Sequence, residues 1–173
     1  MLHLDKYTER WFAICTRYKC EKYVQKMLGD KGIHSYVPLQ KHHRVWRGRR
    51  RVVELPLISC YVFVKINLEE YVPVLETDNV LKFVKIAKEL APISEEEIEI
   101  LKRVVGDIEL EVTVEPFKFE VGDKVEILRG SLAGIKGTLV ETKKNRFVVV
   151  EFQNIGFSLH INIQNGDVRK IIA

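Results

Sequence analysis

No stretch of the 173-residue chain holds the roughly 20 consecutive apolar residues that a helix needs to cross a bilayer, so a membrane-spanning helix is not expected. The first residues, Met1-Leu-His-Leu-Asp-Lys6, lack the charged-then-apolar order of a secretory signal, and a cytoplasmic protein is expected. Cysteine is scarce: Cys15, Cys20 and Cys60 form an odd set without a CxxC pair. That excludes a disulfide framework and leaves too few ligands for zinc, so reduced thiols and no metal are expected. Catalytic patterns are missing too, with no GxSxG, no HExxH and no Gly-rich phosphate loop. A nucleophile at Cys60 would need His42, His43 or His160 brought to it through space. The carboxylates between 95 and 99 are explained by helix capping. Neither an enzyme nor a cofactor is expected.

What is present begins with size and charge. A chain of this length suits one mid-sized domain or two small ones, with 46% hydrophobic and 30% charged residues. The formal charge of +4 conceals a division: residues 1–88 carry 17 Lys/Arg against 9 Asp/Glu, and residues 89–115 carry 2 against 9. A basic unit followed by an acidic segment suggests a polyanion-binding face and a separate acidic face.

The chain is organised around Leu55 to Ile66, Leu-Pro-Leu-Ile-Ser-Cys-Tyr-Val-Phe-Val-Lys-Ile. Cys60, Val62, Val64 and Ile66 alternate with Tyr61 and Phe63, which predicts a strand apolar on both faces and central in its sheet. Trp11 to Cys15 predicts a first strand. Tyr23, Val24, Met27 and Leu28 recur at helical spacing, predicting a helix over 19–31. A strand over 33–39 follows, then a hairpin over 41–53 with its turn near Arg47-Gly48. A short helix over 68–76 is weakened by Pro73, and one strand is expected over 80–86. Ser94 and Glu97 form a capping box, with Ile93 and Ile98 as a staple, for a helix ending at Gly106. These elements give an α/β sandwich over 1–106.

Residues 107–118 alternate acidic and apolar side chains and are expected to be an acidic linker. Residues 119–173 hold five short strand patterns separated by glycine-bearing turns, which predicts a small antiparallel barrel. The fold class is α+β.

The hairpin carries the chemistry. Residues 41–51 contain six Lys/Arg, His42, His43, Trp46 and no acid. Like charges so gathered repel one another unless a polyanion neutralises them. Arg44, Arg47, Arg49, Arg50 and Arg51 would contact phosphates, and Trp46 could stack on a base. Arg17 and Lys19, between the first strand and helix, could lie beside them. Tyr61 and Phe63 have two readings: core, or with Leu57 an apolar groove for a partner helix.

These motifs resemble the NusG family of transcription elongation factors over nearly the whole chain. Trp11-Phe-Ala-Ile14 resembles its opening strand, and Glu21-Lys22 lies in its first helix. Tyr36-Val-Pro38 resembles the strand end before the hairpin, and Pro56-Leu-Ile-Ser-Cys-Tyr-Val-Phe-Val64 resembles the signature PLFPGYVFV. Asn79 to Val84 and Ala91 to Glu95 continue the match. Gly122 to Ile127, Gly130 to Gly134 and Gly137-Thr-Leu139 resemble a KOW motif, whose turn residues are Gly130, Gly134 and Gly137.

The resemblance implies an NGN-like N-terminal domain with an antiparallel sheet, and a C-terminal five-stranded KOW barrel. It implies docking on the clamp helices of RNA polymerase through Tyr61, Phe63, Leu57 and Cys15. Upstream or non-template DNA would be met by the hairpin with Trp11, Arg17 and Lys19. Rho or a ribosomal protein would be the KOW partner, with the protein a monomer. The hairpin Trp46-Arg-Gly-Arg-Arg-Arg51 is more similar to RfaH/UpxY-type antiterminators than to the housekeeping factor. Ser59-Cys60 departs from the family's Pro-Gly, and Ser131-Leu132 from Pro-Phe. The rivals are housekeeping NusG and, from another class, a ribosome-associated RNA-binding module carrying a KOW barrel.

Overall fold

The computed structural model describes residues 4–46, 48–107, 110–116, 122–141, 146–164 and 166–171. The chain divides into two compact units, 1–98 and 99–173.

In the first unit, β1 (Arg10–Thr16) leads through a turn to α1 (Glu21–Asp30) and β2 (His34–Tyr36). A hairpin, β3 (Leu39–Trp46) and β4 (Arg49–Pro56), precedes β5 (Tyr61–Ile66). Then come the short α2 (Tyr71–Leu75), β6 (Val80–Phe83), and the two-residue strands β7 (Lys85–Ile86) and β8 (Glu89–Leu90). The main sheet has the order β2-β5-β1-β6 and is antiparallel throughout. The strand with two apolar faces is thus internal, as its composition predicts. One face places Phe12, Ile14, Val62, Val64 and Ile66 against Val24 and Leu28 of α1 and Val74 of α2 in a single buried cluster. Val24 and Leu28, four apart on one helix face, are fully buried, and each contributes about 1.5–3 kcal/mol.

Two expectations change in detail. Pro73 sits inside α2, at its third residue, where the backbone N–H has no helical partner to lose. The strand expected over 80–86 ends at Phe83. Ala87 (φ 49°) and Lys88 (φ 71°) take left-handed conformations, which closes a tight hairpin between β7 and β8 instead.

The helix α3 (Glu95–Gly106) crosses the division between the units. Its capping box forms: the Glu97 N–H donates to Ser94 Oγ at 3.1 Å, and the Ser94 N–H donates to Glu97 Oε2 at 2.9 Å. Ile93 and Ile98, the staple, are both buried.

The second unit continues with β9 (Val112–Pro116), β10 (Asp123–Ile127), β11 (Lys136–Glu141), β12 (Arg146–Phe152), β13 (Phe157–Asn162) and β14 (Val168–Lys170). They form one six-stranded antiparallel sheet in the order β14-β10-β11-β12-β13-β9. The acidic linker expected over 107–118 is corrected here, because residues 112–116 are a sixth strand on that sheet. Val112 and Val114 stand opposite Ile161 and Leu159, so the alternation of acidic and apolar residues is a half-buried strand pattern. The two units also divide within α3 and not after Gly106. The fold is mixed α/β with mostly antiparallel sheets. Among the described residues, no helix is long and apolar enough to cross a membrane.

Candidate functional site

The second face of the four-stranded sheet carries the aromatic positions of β5. Register sets Tyr61 opposite Cys15, and Phe63 opposite Ala13 and Tyr36. These two aromatics part company. Phe63 is fully buried, with its ring 6.4 Å from that of Tyr36. It is therefore core, and the expectation that it meets a partner directly is corrected. Tyr61 and Cys15 are half-buried and line an open groove of about 480 Å³ with Tyr71, Leu75, Leu81 and Phe83. Tyr71 stacks on Phe83 at 4.7 Å, and Leu81 is 57% exposed. Lys82 and Lys85 add positive charge to the lining. Leu57 does not line this groove; its N–H donates to the Pro38 carbonyl at 2.8 Å.

Burial raises the Cys15 thiol above its ordinary value against the lowering pull of Lys82 and of its hydrogen bond with Tyr61, and burial, then Cys15, raise the Tyr61 phenol. Both groups are neutral at physiological pH. The groove is thus an apolar, aromatic depression with a cationic contribution. Tyr71, Leu75, Leu81 and Phe83 were absent from the expected polymerase-binding residues. The period-2 pattern of 80–83 could have found Leu81 and Phe83, but only the fold brings α2 beside them.

The turn that feeds β5 is held by a residue whose role the sequence does not reveal. Glu21, the first residue of α1, is 3% exposed, and its Oε1 accepts the Cys60 N–H at 2.6 Å. The Cys60 carbonyl accepts the Thr16 N–H at 2.9 Å. Cys60 has φ 66°, a left-handed conformation costing a residue with a Cβ about 1–2 kcal/mol. Cys60 therefore sits in a turn, half-exposed, and not on the strand face expected for it. Burial, then Glu21, then Cys20 raise its thiol. This is also where the chain departs from the family signature, whose glycine suits the conformation found here.

The hairpin is exposed over 41–45 and 48–52. Its register pairs Lys41 with Glu54, His42 with Val53, His43 with Val52, Arg44 with Arg51 and Val45 with Arg50. Strand alternation places His42, Arg44, Arg49 and Arg51 on one face, and Lys41, His43, Val45, Arg50 and Val52 on the other. Arg44 directly opposite Arg51 is a like-charge pair that the fold does not require. Gly48 has φ 74°, which fits the tight turn expected there. Arg47 lies outside the described residues, and Trp46 is placed as a strand position opposite Arg49. Lys22 of α1 pairs with Glu54 at 3.5 Å, which sets the hairpin base beside the helix start. Arg17 and Lys19 are exposed on the turn before that helix.

Trp11 is corrected. It is 3% exposed, its ring lies 5.0 Å from that of His34, and its Nε1–H donates to Glu95 Oε2 at 2.9 Å. Glu95 Oε1 in turn holds Lys65 at 2.7 Å, and that hydrogen bond raises the Lys65 ammonium. An indole so enclosed has no face to offer a base.

In the second unit, Gly130 (φ 75°) and Gly134 (φ 87°) bound the turn after β10. Gly137 is no turn residue: it lies within β11 opposite Val125. A Cβ there would come within 2.5 Å of Val148 Cγ1 and the Val149 carbonyl oxygen, so close strand packing explains its glycine. Leu132 is 2% exposed. Arg103 clamps the turn by donating to the carbonyls of Ser131 and Ala133, each at 2.7 Å. Among the described residues, no group of three His, Cys, Asp or Glu is placed to hold a metal ion.

Comparison with known proteins adds the family. Residues 9–102 match the family model described as "Transcription termination factor nusG". No curated protein matches the chain. A structure titled "Domain interaction in Thermotoga maritima NusG" is similar at 23% identity and a TM-score of 0.56, covering 95% of this chain and 98% of that one. An MjSpt4:Spt5 complex in conformation A aligns at 18% identity and a TM-score of 0.32, covering 93% and 97%. The family match spans more than half of the residues, including the groove, the hairpin and the turn at Cys60, and the chain belongs to the NusG family.

Proposed function

We propose that this protein is a transcription elongation and antitermination factor that binds RNA polymerase through its first unit and acts by binding, without catalysis. The groove around Tyr61 and Cys15 receives the polymerase clamp helices. Its apolar and aromatic lining suits the apolar face of a helix. The hairpin contacts upstream DNA or the non-template strand through Arg44, Arg49, Arg50, Arg51, His42 and His43, joined by Trp46 and Arg47, with Arg17 and Lys19 on the turn before α1. The observation that carries the reading is the joining of an apolar groove and an exposed ribbon of cations in one unit of a NusG-family chain. Phosphate neutralisation gives such a ribbon its affinity and makes that affinity depend on salt.

The second unit is proposed to be the KOW barrel, formed by β10 to β14 with β9 added at its edge, and to recruit a ribosomal protein or Rho. The arginine-rich hairpin supports a specialised RfaH/UpxY-type paralogue working as a cytoplasmic monomer. The test is capture of core RNA polymerase by the full chain, followed by transcription across a terminator. Polymerase binding with increased read-through is expected. Failure to bind polymerase, with binding to structured RNA instead, would favour a ribosome-associated RNA-binding protein.

A further inference from the structure

We propose that Tyr18 is a stacking platform for an unpaired base of single-stranded nucleic acid; this deepens the nucleic-acid contact proposed above and rests on it. Tyr18 stands on the turn between β1 and α1, 68% exposed, between the exposed cations Arg17 and Lys19. A base stacks on such a ring whatever its identity, while flanking cations hold the phosphates on either side. The Lys19 ammonium already lies 5.1 Å from the ring centroid, in cation–π contact.

The turn is built to hold this ring out. The register of β1 on β6 shifts between Cys15 and Thr16, an irregularity of the kind that re-aims the side chains that follow. Three backbone bonds then fix the path: the Thr16 N–H to the Cys60 carbonyl at 2.9 Å, the Arg17 N–H to Asn79 at 3.0 Å, and the Cys20 N–H to Arg17 at 3.1 Å. Lys19 (φ 63°) is left-handed without being glycine, a strain that persists where the surroundings impose it and that gathers at functional sites. The Lys22–Glu54 pair brings the helix start beside the hairpin base, so a strand bound along the hairpin passes close to this turn. Tyr7, though 91% exposed, lacks this setting, because its neighbour Lys6 is paired with Glu69 at 3.0 Å.

The test compares binding of the full chain to a labelled single strand, a duplex with a central unpaired bubble, and a fully paired duplex, over a range of salt. Tyr18→Ala is expected to weaken single-strand and bubble binding about 5- to 160-fold, the loss of one stacked base. The salt dependence should not change, because no charge is removed, and the paired duplex should bind as before. Tyr18→Phe keeps the ring and is expected to retain binding. Equal loss on paired and unpaired DNA, no loss on any of them, or the same loss in Tyr18→Phe would overturn the stacking role. Replacing Arg49, Arg50 and Arg51 by Glu in the same assay separates the two readings. If that variant loses binding and Tyr18→Ala does not, the stack fails and the interface stands; if neither loses binding, the interface reading itself fails.

Discussion

The strand β5 and the hairpin that precedes it are neighbours in sequence and opposites in what determines their residues. In β5, packing decides nearly everything: Val62, Phe63, Val64 and Ile66 have no exposed surface, and only Tyr61 reaches the groove. In the hairpin, packing decides almost nothing beyond its base. Exposed Arg44 faces exposed Arg51, an arrangement that costs free energy and returns no contact within the fold. Residues that a fold does not need, held in a regular frame, are the better guide to what the protein binds. That contrast also separates Tyr61 from Phe63, which alternation along the strand had joined.

The contrast can be broken from either side. Phe63→Ala should have the largest effect, destabilising the protein by about 3–5 kcal/mol, since a fully buried ring leaves a cavity. For a unit of this size that lowers Tm by 12 °C or more, using about 4–8 °C per kcal/mol, and a calorimetric scan will show it. A smaller loss would mean that Phe63 is less embedded than its burial indicates. Arg49, Arg50 and Arg51 changed together to Glu should leave Tm nearly unchanged, yet lower the slope of log affinity against log salt by about two to three on elongation complexes. Unchanged binding at low salt would remove the hairpin from the interface.

Glu21→Ala removes the charged acceptor of the part-buried Cys60 N–H and should cost about 1–3 kcal/mol, measured by denaturant midpoint. The smallest expected effect has the opposite sign. Cys60→Gly relieves the left-handed strain while adding freedom to the unfolded chain, for a net gain of about 0.5–1 kcal/mol and a Tm higher by a few degrees. Destabilisation instead would show that the Cys60 side chain contributes packing that outweighs its strained backbone.

Much of the fold was legible because its signals are local. The capping box at Ser94 and Glu97, the helical spacing of Val24 and Leu28 and the glycine of the hairpin turn each declare themselves within a few residues. What escaped depends on partners far away in the chain. Residues 112–116 look like a linker until Leu159 and Ile161 are set opposite Val114 and Val112. Trp11 looks like a stacking residue until Glu95 takes its N–H. Gly137 looks like a turn glycine until Val148 and Val149 are found against it. The candidate site divides the same way: the cations of the hairpin were evident from composition, whereas the groove needed α2 and β6 to come together. Glu21 gave no signal at all, since one acid at a helix start is ordinary.

The central claim is that Tyr61 serves recognition and not stability. Its most direct test is the affinity of core RNA polymerase for the full chain and for Tyr61→Ala, with Tm recorded on the same samples. Weaker binding by the variant, with Tm lowered far less than in Phe63→Ala, is the predicted result. Undiminished binding, or a collapse of Tm matching that of Phe63→Ala, would contradict it.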